Sequence, residues 1–141
     1  MTGYFQTWET KLIVLRNLER KEPINRKARV RNYLAKGTLG SESTTIHENI
    51  IGVEGFVPWH SHAVEEILIL LEGEGECRTE NGTERYRPGD VVIIPAQTLH
   101  TLRSLGSVPL RQLCVFPSAN VVTAWKEPES SAAFALETSN T

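Results

Sequence analysis

Three histidines and one glutamate stand out, because their side chains are metal ligands and their spacing suits a single site. His60, His62 and Glu66 fall within one stretch of seven residues, and His100 lies further along the chain. Side chains two residues apart in a β-strand point to the same face, so the first three share one side if no bulge intervenes. If the strand that begins at His100 lies beside the first strand, its imidazole completes a four-ligand cluster.

Three imidazoles and one carboxylate form a mixed nitrogen and oxygen ligand set. Such a set suits a divalent ion of iron, manganese, cobalt, nickel, copper or zinc. Four protein ligands leave about two positions open on an octahedral ion, which is enough for substrate, water or O₂. A closed structural zinc site is disfavoured, because those sites are tetrahedral and rich in cysteine. We therefore expect one divalent transition metal ion at this cluster.

The alternative is that these residues share no site. Taken singly, a histidine is more often exposed or packed in the core than bound to a metal. Glu66, however, directly precedes the apolar run at residues 67–71, and an unpaired carboxylate at the start of a buried strand would be costly. The joint spacing therefore favours metal binding.

The elements that must position these ligands are predicted to be short β-strands after Pro23. Turn residues separate segments that are rich in Val, Ile and Leu. The candidate strands are residues 27–34, 44–53, 66–71, 75–80, 83–87, 91–94, 100–105 and 110–116. Many short strands without a long helical pattern between them indicate an all-β sandwich or barrel.

The composition fits one globular domain and excludes several classes of protein. The chain has 141 residues, of which 40% are hydrophobic and 23% charged, and no apolar run approaches the roughly 18 residues of a membrane span. The formal net charge is −2, so no global positive charge attracts nucleic acid. The N-terminus lacks a basic segment followed by an apolar core, so we expect a cytoplasmic protein without membrane or nucleic-acid partners.

One basic stretch, residues 26–31, has two interpretations. Its sequence is Arg-Lys-Ala-Arg-Val-Arg, which could form a patch for nucleic acid or another anion. In a strand, however, Lys27, Arg29 and Arg31 alternate with apolar residues and share one face. A solvated strand face is the favoured interpretation.

Two motifs resemble the conserved barrel motifs of the cupin superfamily. The first contains His60, His62, Glu66 and Gly73, and the second contains Gly89, Pro95 and His100. The resemblance covers residues 27–117 and implies a double-stranded β-helix, or jelly-roll barrel, with the metal inside one end. Residues 1–26 and 118–141 would then be short extensions. By this similarity the metal ligands correspond to His60, His62, Glu66 and His100.

The sequence departs from the family pattern at positions that are not ligands. Four residues separate Gly55 from His60, where the family often has five. Gln97 stands where the second motif often has glycine, and Ser104 stands where it often has asparagine. These departures bear on the subfamily and leave the metal ligands in place.

Strand alternation also predicts which side chains surround the metal. Leu68, Leu70 and Leu102 share the inward direction of the ligands, so the cavity is expected to be mostly apolar. Polar candidates for binding the substrate are Arg31, Tyr33 and Gln112. If their strand faces inward, Arg31 and Tyr33 could bind an anionic or carbonyl group.

Two residues are candidates for catalysis by proton transfer. His47 is a fourth imidazole on a strand that leads into the motif, and it could act as an acid or base near neutral pH. The alternative is an exposed strand histidine. Glu66 either remains a ligand or releases the metal and takes up a proton. Cys77 and Cys114 lie in apolar strands and are expected to be buried, unreactive thiols.

The resemblance implies a metal-dependent enzyme that acts on a small organic substrate. Single-domain cupins with this ligand set suggest an oxidoreductase of the dioxygenase type first, and an isomerase, lyase, decarboxylase or cyclase second. A leucine-lined cavity would suit oxidative chemistry, because it limits stray water. The main alternative is a non-catalytic binding or sensory module, since cupin domains also sense ligands.

The N-terminal segment predicts a homodimer. Tyr4, Phe5, Trp8 and residues 12–15 make this segment more apolar than a free tail would be. It should therefore either cover its own barrel or cross to the partner subunit. The resemblance favours the dimer.

Overall fold

A computed structural model describes residues 11–16, 24–26 and 29–128 of the chain. Over these residues the secondary structure is almost entirely β. The strands are β1 (Ile24–Arg26), β2 (Arg29–Ala35), β3 (Thr45–Ile51), β4 (Phe56–His62), β5 (Glu66–Glu72), β6 (Gly75–Thr79), β7 (Gly82–Tyr86), β8 (Val91–Ile94), β9 (His100–Ser104), β10 (Leu110–Phe116) and β11 (Thr123–Trp125). A single 3-10 turn at Gly37–Leu39 joins β2 to β3.

The strands form two antiparallel sheets. The first has the order β1-β2-β3-β10-β5-β8, and the second has the order β11-β4-β9-β6-β7. Consecutive strands are often in different sheets or far apart in one sheet, as in a jelly roll. The predicted all-β jelly-roll class is therefore confirmed.

The core lies between the two sheets, because alternate side chains of each strand point inward. Buried and half-buried positions alternate without a break along β3 and β10. The largest fully buried apolar side chains come from both sheets: Phe116, Ile51, Leu68, Leu70, Leu102 and Leu110. Burial of this two-sided apolar layer holds the sheets together.

A β-bulge in β4 resets the alternation just before the ligand motif. The pairing of β4 with β9 shifts register between Val57 and His60. Val57 and His60 have opposite parity in sequence, yet both are buried, with exposures of 3% and 4%. The bulge thus lets an apolar residue and the ligand histidines face the same interior.

Several strand boundaries differ from the predicted ones. The strands at residues 91–94 and 110–116 have the predicted bounds, and most of the others end one or two residues away from them. The predicted strands did not include β4, although His60 and His62 were expected to lie in a strand, because Pro58 and a β-bulge interrupt its alternation. They also did not include β1 or β11, which belong to the N-terminal and C-terminal extensions. Both are only three residues long, too short to show an alternating pattern, and β11 adds an edge to the sheet that carries the histidines.

The apolar N-terminal segment is described only at residues 11–16. Leu12 and Ile13 are exposed in the single chain, at 89% and 62%, and the Ile13 side chain lies close to Gly40. The proposed exchange of this segment in a homodimer stays a prediction, and Tyr4, Phe5 and Trp8 lie outside the described residues. Within the described part of the chain, no helix has the length and apolar character needed to cross a membrane.

Gly75 marks the closest approach between the two sheets. A Cβ atom there would overlap the Tyr86 ring and lie 2.7 Å from Leu110 Cδ1. The ring cannot easily move aside, because the Tyr86 hydroxyl donates a hydrogen bond to Gln112 Oε1 at 2.9 Å.

We expect Gly75→Ala to lower the free energy of unfolding by about 1–3 kcal/mol, since the added methyl overpacks the core. Urea unfolding followed by circular dichroism measures the change. Gly106→Ala is the matched control, because the nearest atom to its added Cβ, the Glu74 backbone nitrogen, would lie at an ordinary contact distance of 3.8 Å. Equal losses for the two variants would contradict the close-packing account.

Candidate metal centre

The predicted ligands come together inside one end of the barrel. His60, His62, Glu66 and His100 are all buried, with exposures of 1% to 8%. One ligand atom from each lies within 4.8 Å of the ligand atoms of the others. Glu66 Oε1 lies 3.2 Å from His100 Nε2 and 3.6 Å from His62 Nε2. Three imidazoles therefore surround a single carboxylate.

The two sheets contribute different ligands. His60 and His100 are paired residues on neighbouring strands β4 and β9, so their rings lie in contact at a centroid distance of 4.2 Å, tilted by 52° to one another. Glu66 is the first residue of β5 and comes from the opposite sheet. The centre thus lies between the sheets and forms only when both sheets are in place.

Backbone carbonyl groups orient the three imidazoles. His60 Nδ1 lies 2.7 Å from the Pro58 carbonyl oxygen, and His100 Nδ1 lies 2.8 Å from that of Thr98. His62 Nδ1 lies 3.3 Å from the Val122 carbonyl oxygen. A ring that donates its Nδ1–H to a carbonyl keeps an unprotonated Nε2, which is the atom available to a metal.

Gln97 fixes the end of β4 relative to the start of β9. Its φ is 67°, in the left-handed region where glycine is least strained, which gives a physical reason why the family often has glycine here. The Gln97 backbone N–H donates a hydrogen bond to the His62 carbonyl oxygen at 2.8 Å. The replacement of glycine by Gln97 therefore adds a side chain but keeps the left-handed backbone conformation of the turn.

Burial favours the neutral form of His60 and His62 by lowering their pKa values. It lowers the pKa of His60 well below its usual range, and the neighbouring His100 lowers it further. Burial also lowers the pKa of His62, although the nearby Glu66 carboxylate acts in the opposite direction. Because a metal binds the neutral imidazole, these environments favour the form that can act as a ligand.

A pocket lined by the ligands His60, His62 and Glu66 opens between β2, β3 and β11. Its space for the centres of water molecules is about 30 Å³, so any organic ligand in this conformation must be small. The lining residues are Arg29, Arg31, Tyr33, Thr45, His47, Asn49, Val57, His60, His62, Glu66, Leu102, Phe116, Val121, Thr123 and Trp125. Most of these side chains are polar, so the expectation of a mostly apolar cavity is wrong.

Three predicted pocket residues lie deeper in the barrel. Leu68, Leu70 and Gln112 are at most 2% exposed and belong to the core rather than to the pocket lining. Inward-facing residues follow one another at roughly 7 Å along a strand, so Leu68 already lies one layer below Glu66. Gln112 accepts the hydrogen bond from Tyr86. Of the predicted apolar residues, Leu102 does reach the pocket.

The part of the basic stretch that the structure describes in β2 faces inward instead of forming the favoured solvated face, and Lys27 lies outside the described residues. Arg29 is only 4% exposed, Arg31 and Tyr33 are half-buried, and all three line the pocket. The Arg31 and Tyr33 candidates are therefore in the pocket, and Arg29 was missed. Arg29 lies two residues before Arg31 on the same face of β2, and this spacing could have predicted that it lines the pocket.

His47 also faces the pocket. Its exposure is 8%, and its ring lies 5.6 Å from the ring centroids of Tyr33 and Phe116. One of its ring nitrogens, a Glu66 oxygen and Cys114 Sγ all lie within 4.8 Å of one another. The interpretation of His47 as an exposed strand histidine is excluded, and the residue lies beside the carboxylate of the centre.

The two cysteines are protonated, buried thiols. Burial raises the pKa of Cys77 to about 12, and burial together with Glu66 raises that of Cys114 well above its usual range. Both residues match the predicted core thiols.

Two further pocket residues, Thr123 and Trp125, come from β11. They pair with His62 and His60 on β4, and the Trp125 ring lies 5.1 Å from that of His60. The sequence carried no strong signal for them, because the strand is short and lies beyond the predicted barrel.

The family comparison agrees with the fold and the site. The cupin domain family model matches residues 46–116, which is half of the chain, and the chain belongs to the cupin family. An uncharacterized protein of Methanocaldococcus jannaschii is 31% identical over 86 residues, which are 60% of this chain and 69% of that protein.

Solved structures share the barrel. The polyketide cyclase RemF of Streptomyces resistomycificus has a TM-score of 0.67 at 21% identity, with 84% of each chain covered. An oxalate decarboxylase of Lactobacillus farciminis has a TM-score of 0.70 at 20% identity, over 74% of this chain and 33% of that one. A cupin-like protein of Thermotoga maritima has a TM-score of 0.64 at 19% identity, over 80% and 86%. These likenesses show the fold, and the chain spans a third of the decarboxylase.

The ligand set predicts that Glu66→Gln weakens metal binding by at least about tenfold, because an amide replaces the anionic ligand. Metal content after reconstitution with Mn(II) and gel filtration measures the effect, with about one ion per chain expected for the wild type. Glu65→Gln is the matched control, since Glu65 is the exposed neighbour of Glu66. Equal metal content in both variants would contradict the assignment of Glu66.

The buried imidazoles also predict how the metal-free protein responds to pH. The lowered pKa values of His47 and His60 mean that the unfolded chain binds protons first as the pH falls below about 6.5. Stability is therefore full above that pH and is lost below it, by at most about 1.4 kcal/mol per pH unit for each imidazole.

Thermal unfolding between pH 7.5 and 5.5 measures this loss. His47→Phe removes one of the titrating groups and should reduce the slope. An unchanged slope in this variant, or a stability that rises on acidification, would contradict the burial of neutral His47.

Proposed function

We propose that this protein is a metal-dependent enzyme that acts on a small organic substrate at the site formed by His60, His62, Glu66 and His100. The observation that carries the proposal is that three of the four ligands, His60, His62 and Glu66, line a pocket whose other lining residues are mostly polar. A structural metal site would be closed on all sides by its own ligands. Here non-ligand groups such as His47, Arg31 and Tyr33 line the same space.

The chain supplies binding, orientation and proton transfer around the metal. A bound divalent ion would supply Lewis acidity and, if it is redox-active, a route for electrons to O₂. Arg31 and Tyr33 would orient the substrate from β2. His47 is kept neutral by burial and by Arg31, which lower its pKa, so it could accept a proton beside Glu66. Phe116 and Trp125 cover the apolar sides of the pocket and limit its water.

Dioxygenase chemistry is the first reaction class that we propose. It is supported by the family resemblance of the ligand set and by the open positions that four protein ligands leave on an octahedral ion. The argument from an apolar, leucine-lined cavity that limits water does not apply, because the described residues that line the pocket are mostly polar. The proposal therefore rests on the ligands and needs a direct test of O₂ consumption.

A non-oxidative reaction is the second candidate, and the polar pocket favours it. Arginines and a neutral histidine beside a Lewis acid suit proton transfer and the stabilisation of developing negative charge. Two proteins with a similar fold are a polyketide cyclase and an oxalate decarboxylase. An isomerase, lyase, decarboxylase or cyclase would use the groups found here without consuming O₂.

Turnover measured with and without oxygen distinguishes these candidates. The protein is loaded separately with Fe(II), Mn(II), Co(II), Ni(II) or Zn(II) and incubated with diketones, catechols, thiols and small keto acids. Substrate-dependent O₂ uptake with iron supports the dioxygenase. Products formed under anaerobic conditions support the second candidate.

The His47→Gln variant should lower kcat by about 100-fold or more if His47 transfers a proton. Glu65→Gln should leave the rate unchanged, because its side chain points to solvent. Stoichiometric metal without turnover of any substrate would contradict an enzyme and favour a binding or sensory module.

A further inference from the structure

We propose that the wall formed by β2 and β3 is a carboxylate-binding subsite, so that the substrate is a small organic acid with a second oxygen-bearing group. The inference rests on the proposed function, because it places one end of the substrate at the metal centre. It adds the chemical class of the substrate and the residues that select it. Arg31 is the central residue, and Arg29 and Asn49 complete the wall.

Arg31 has hydrogen-bonding capacity that the described residues do not use. Its Nε is buried without a hydrogen-bond partner, and its Nη1 donates to the Tyr33 hydroxyl at 3.3 Å. No described carboxylate forms an ion pair with Arg31. Leaving a buried charged donor unsatisfied is costly, and the planar guanidinium fits a carboxylate through two parallel hydrogen bonds.

The charge of the pocket also selects an anion. Arg29 and Arg31 both line it, whereas Glu66 is the only acidic side chain among the described residues that line it. A bound divalent cation would make the pocket more positive still. A low-dielectric pocket of this sign attracts small anions and disfavours neutral analogues of the same shape.

Two more polar atoms on this wall lack partners. Asn49 Oδ1 and His47 Nδ1 are buried without a hydrogen bond among the described residues. Asn49 is the cross-strand partner of Arg31, and His47 is that of Tyr33, so the atoms lie side by side on the inner face. A ligand could carry a hydroxyl, a keto group or a second carboxylate beside the carboxylate that Arg31 binds. Such a ligand could form hydrogen bonds with these unpaired atoms and also reach the metal.

The small open space of the pocket favours a small acid over a large one. With about 30 Å³ open to the centres of water molecules, the described conformation excludes a nucleotide or a sugar phosphate. Inorganic phosphate shares the charge and the hydrogen-bond acceptors of a carboxylate, so the test must separate the two anions.

Calorimetric titration with malonate tests the subsite. Malonate, its neutral analogue malonamide and inorganic phosphate are each titrated into metal-free and Zn(II)-loaded protein at constant ionic strength. We expect malonate to bind at least about tenfold more tightly than malonamide, because a charge-assisted hydrogen bond is lost in the amide. Equal affinities, or tighter binding of phosphate than of malonate, would overturn the carboxylate assignment.

Substitutions at Arg31 locate the binding. Arg31→Gln should lose at least about tenfold in malonate affinity, and Arg31→Lys should lose less, because it keeps the charge without the planar fork. Arg85→Gln is the control, since Arg85 is exposed on β7 and its loss changes the net charge equally. Circular dichroism verifies the fold of each variant. If Arg31→Gln and Arg85→Gln bind malonate alike, the inference fails.

The metal content of the same samples separates this inference from the proposed function. Failure of the wild type to retain any metal would count against the enzyme, while the comparison of malonate with malonamide in metal-free protein would still decide the subsite. Retained metal with no preference for malonate would leave the metal centre standing and reject the carboxylate.

Discussion

The burial of one carboxylate is the constraint on which the rest of this structure depends. Glu66 begins a core strand at 3% exposure, where an ionised group without partners would strongly destabilise the fold. Three imidazoles from the opposite sheet lie around it, and His47 approaches from its own sheet. The bulge in β4, the left-handed Gln97 and the carbonyl groups that hold each Nδ1 all bring these rings to the carboxylate. A divalent metal would unite Glu66 and the three imidazoles of His60, His62 and His100 into one satisfied polar centre.

The interior of the barrel is divided along its axis. Leu68 and Leu70 fill the space below the centre and help to hold the sheets together, whereas the pocket carries arginine, tyrosine, asparagine and histidine. The division follows from the roughly 7 Å spacing of inward residues along each strand, which puts the ligands and the apolar core in successive layers. The apolar layer fixes the strands, and the polar layer is left free to determine which ligand binds.

The sequence was sufficient for the fold class and for bringing the four ligands together. Their signal was strong because ligand types recur at strand spacing in His60 and His62, and because Glu66 directly precedes a buried run. The pocket was harder to predict. Strand alternation shows which face a residue is on but not its depth, so Leu68 and Gln112 were placed at the metal although they lie below it. Alternation also cannot distinguish a basic strand face that points inward from one that points to solvent. For that reason Arg29 was not predicted to line the pocket.

The most direct test of the central claim is an anomalous-difference map from crystals of the Mn(II)-loaded protein. The account predicts one strong peak per chain within about 2.0–2.3 Å of three imidazole nitrogens and one carboxylate oxygen, contributed by His60, His62, His100 and Glu66. It also predicts that the remaining coordination positions face Arg31 and His47. A peak elsewhere on the chain, or a well-ordered cluster that stays free of metal at saturating Mn(II), would contradict the account.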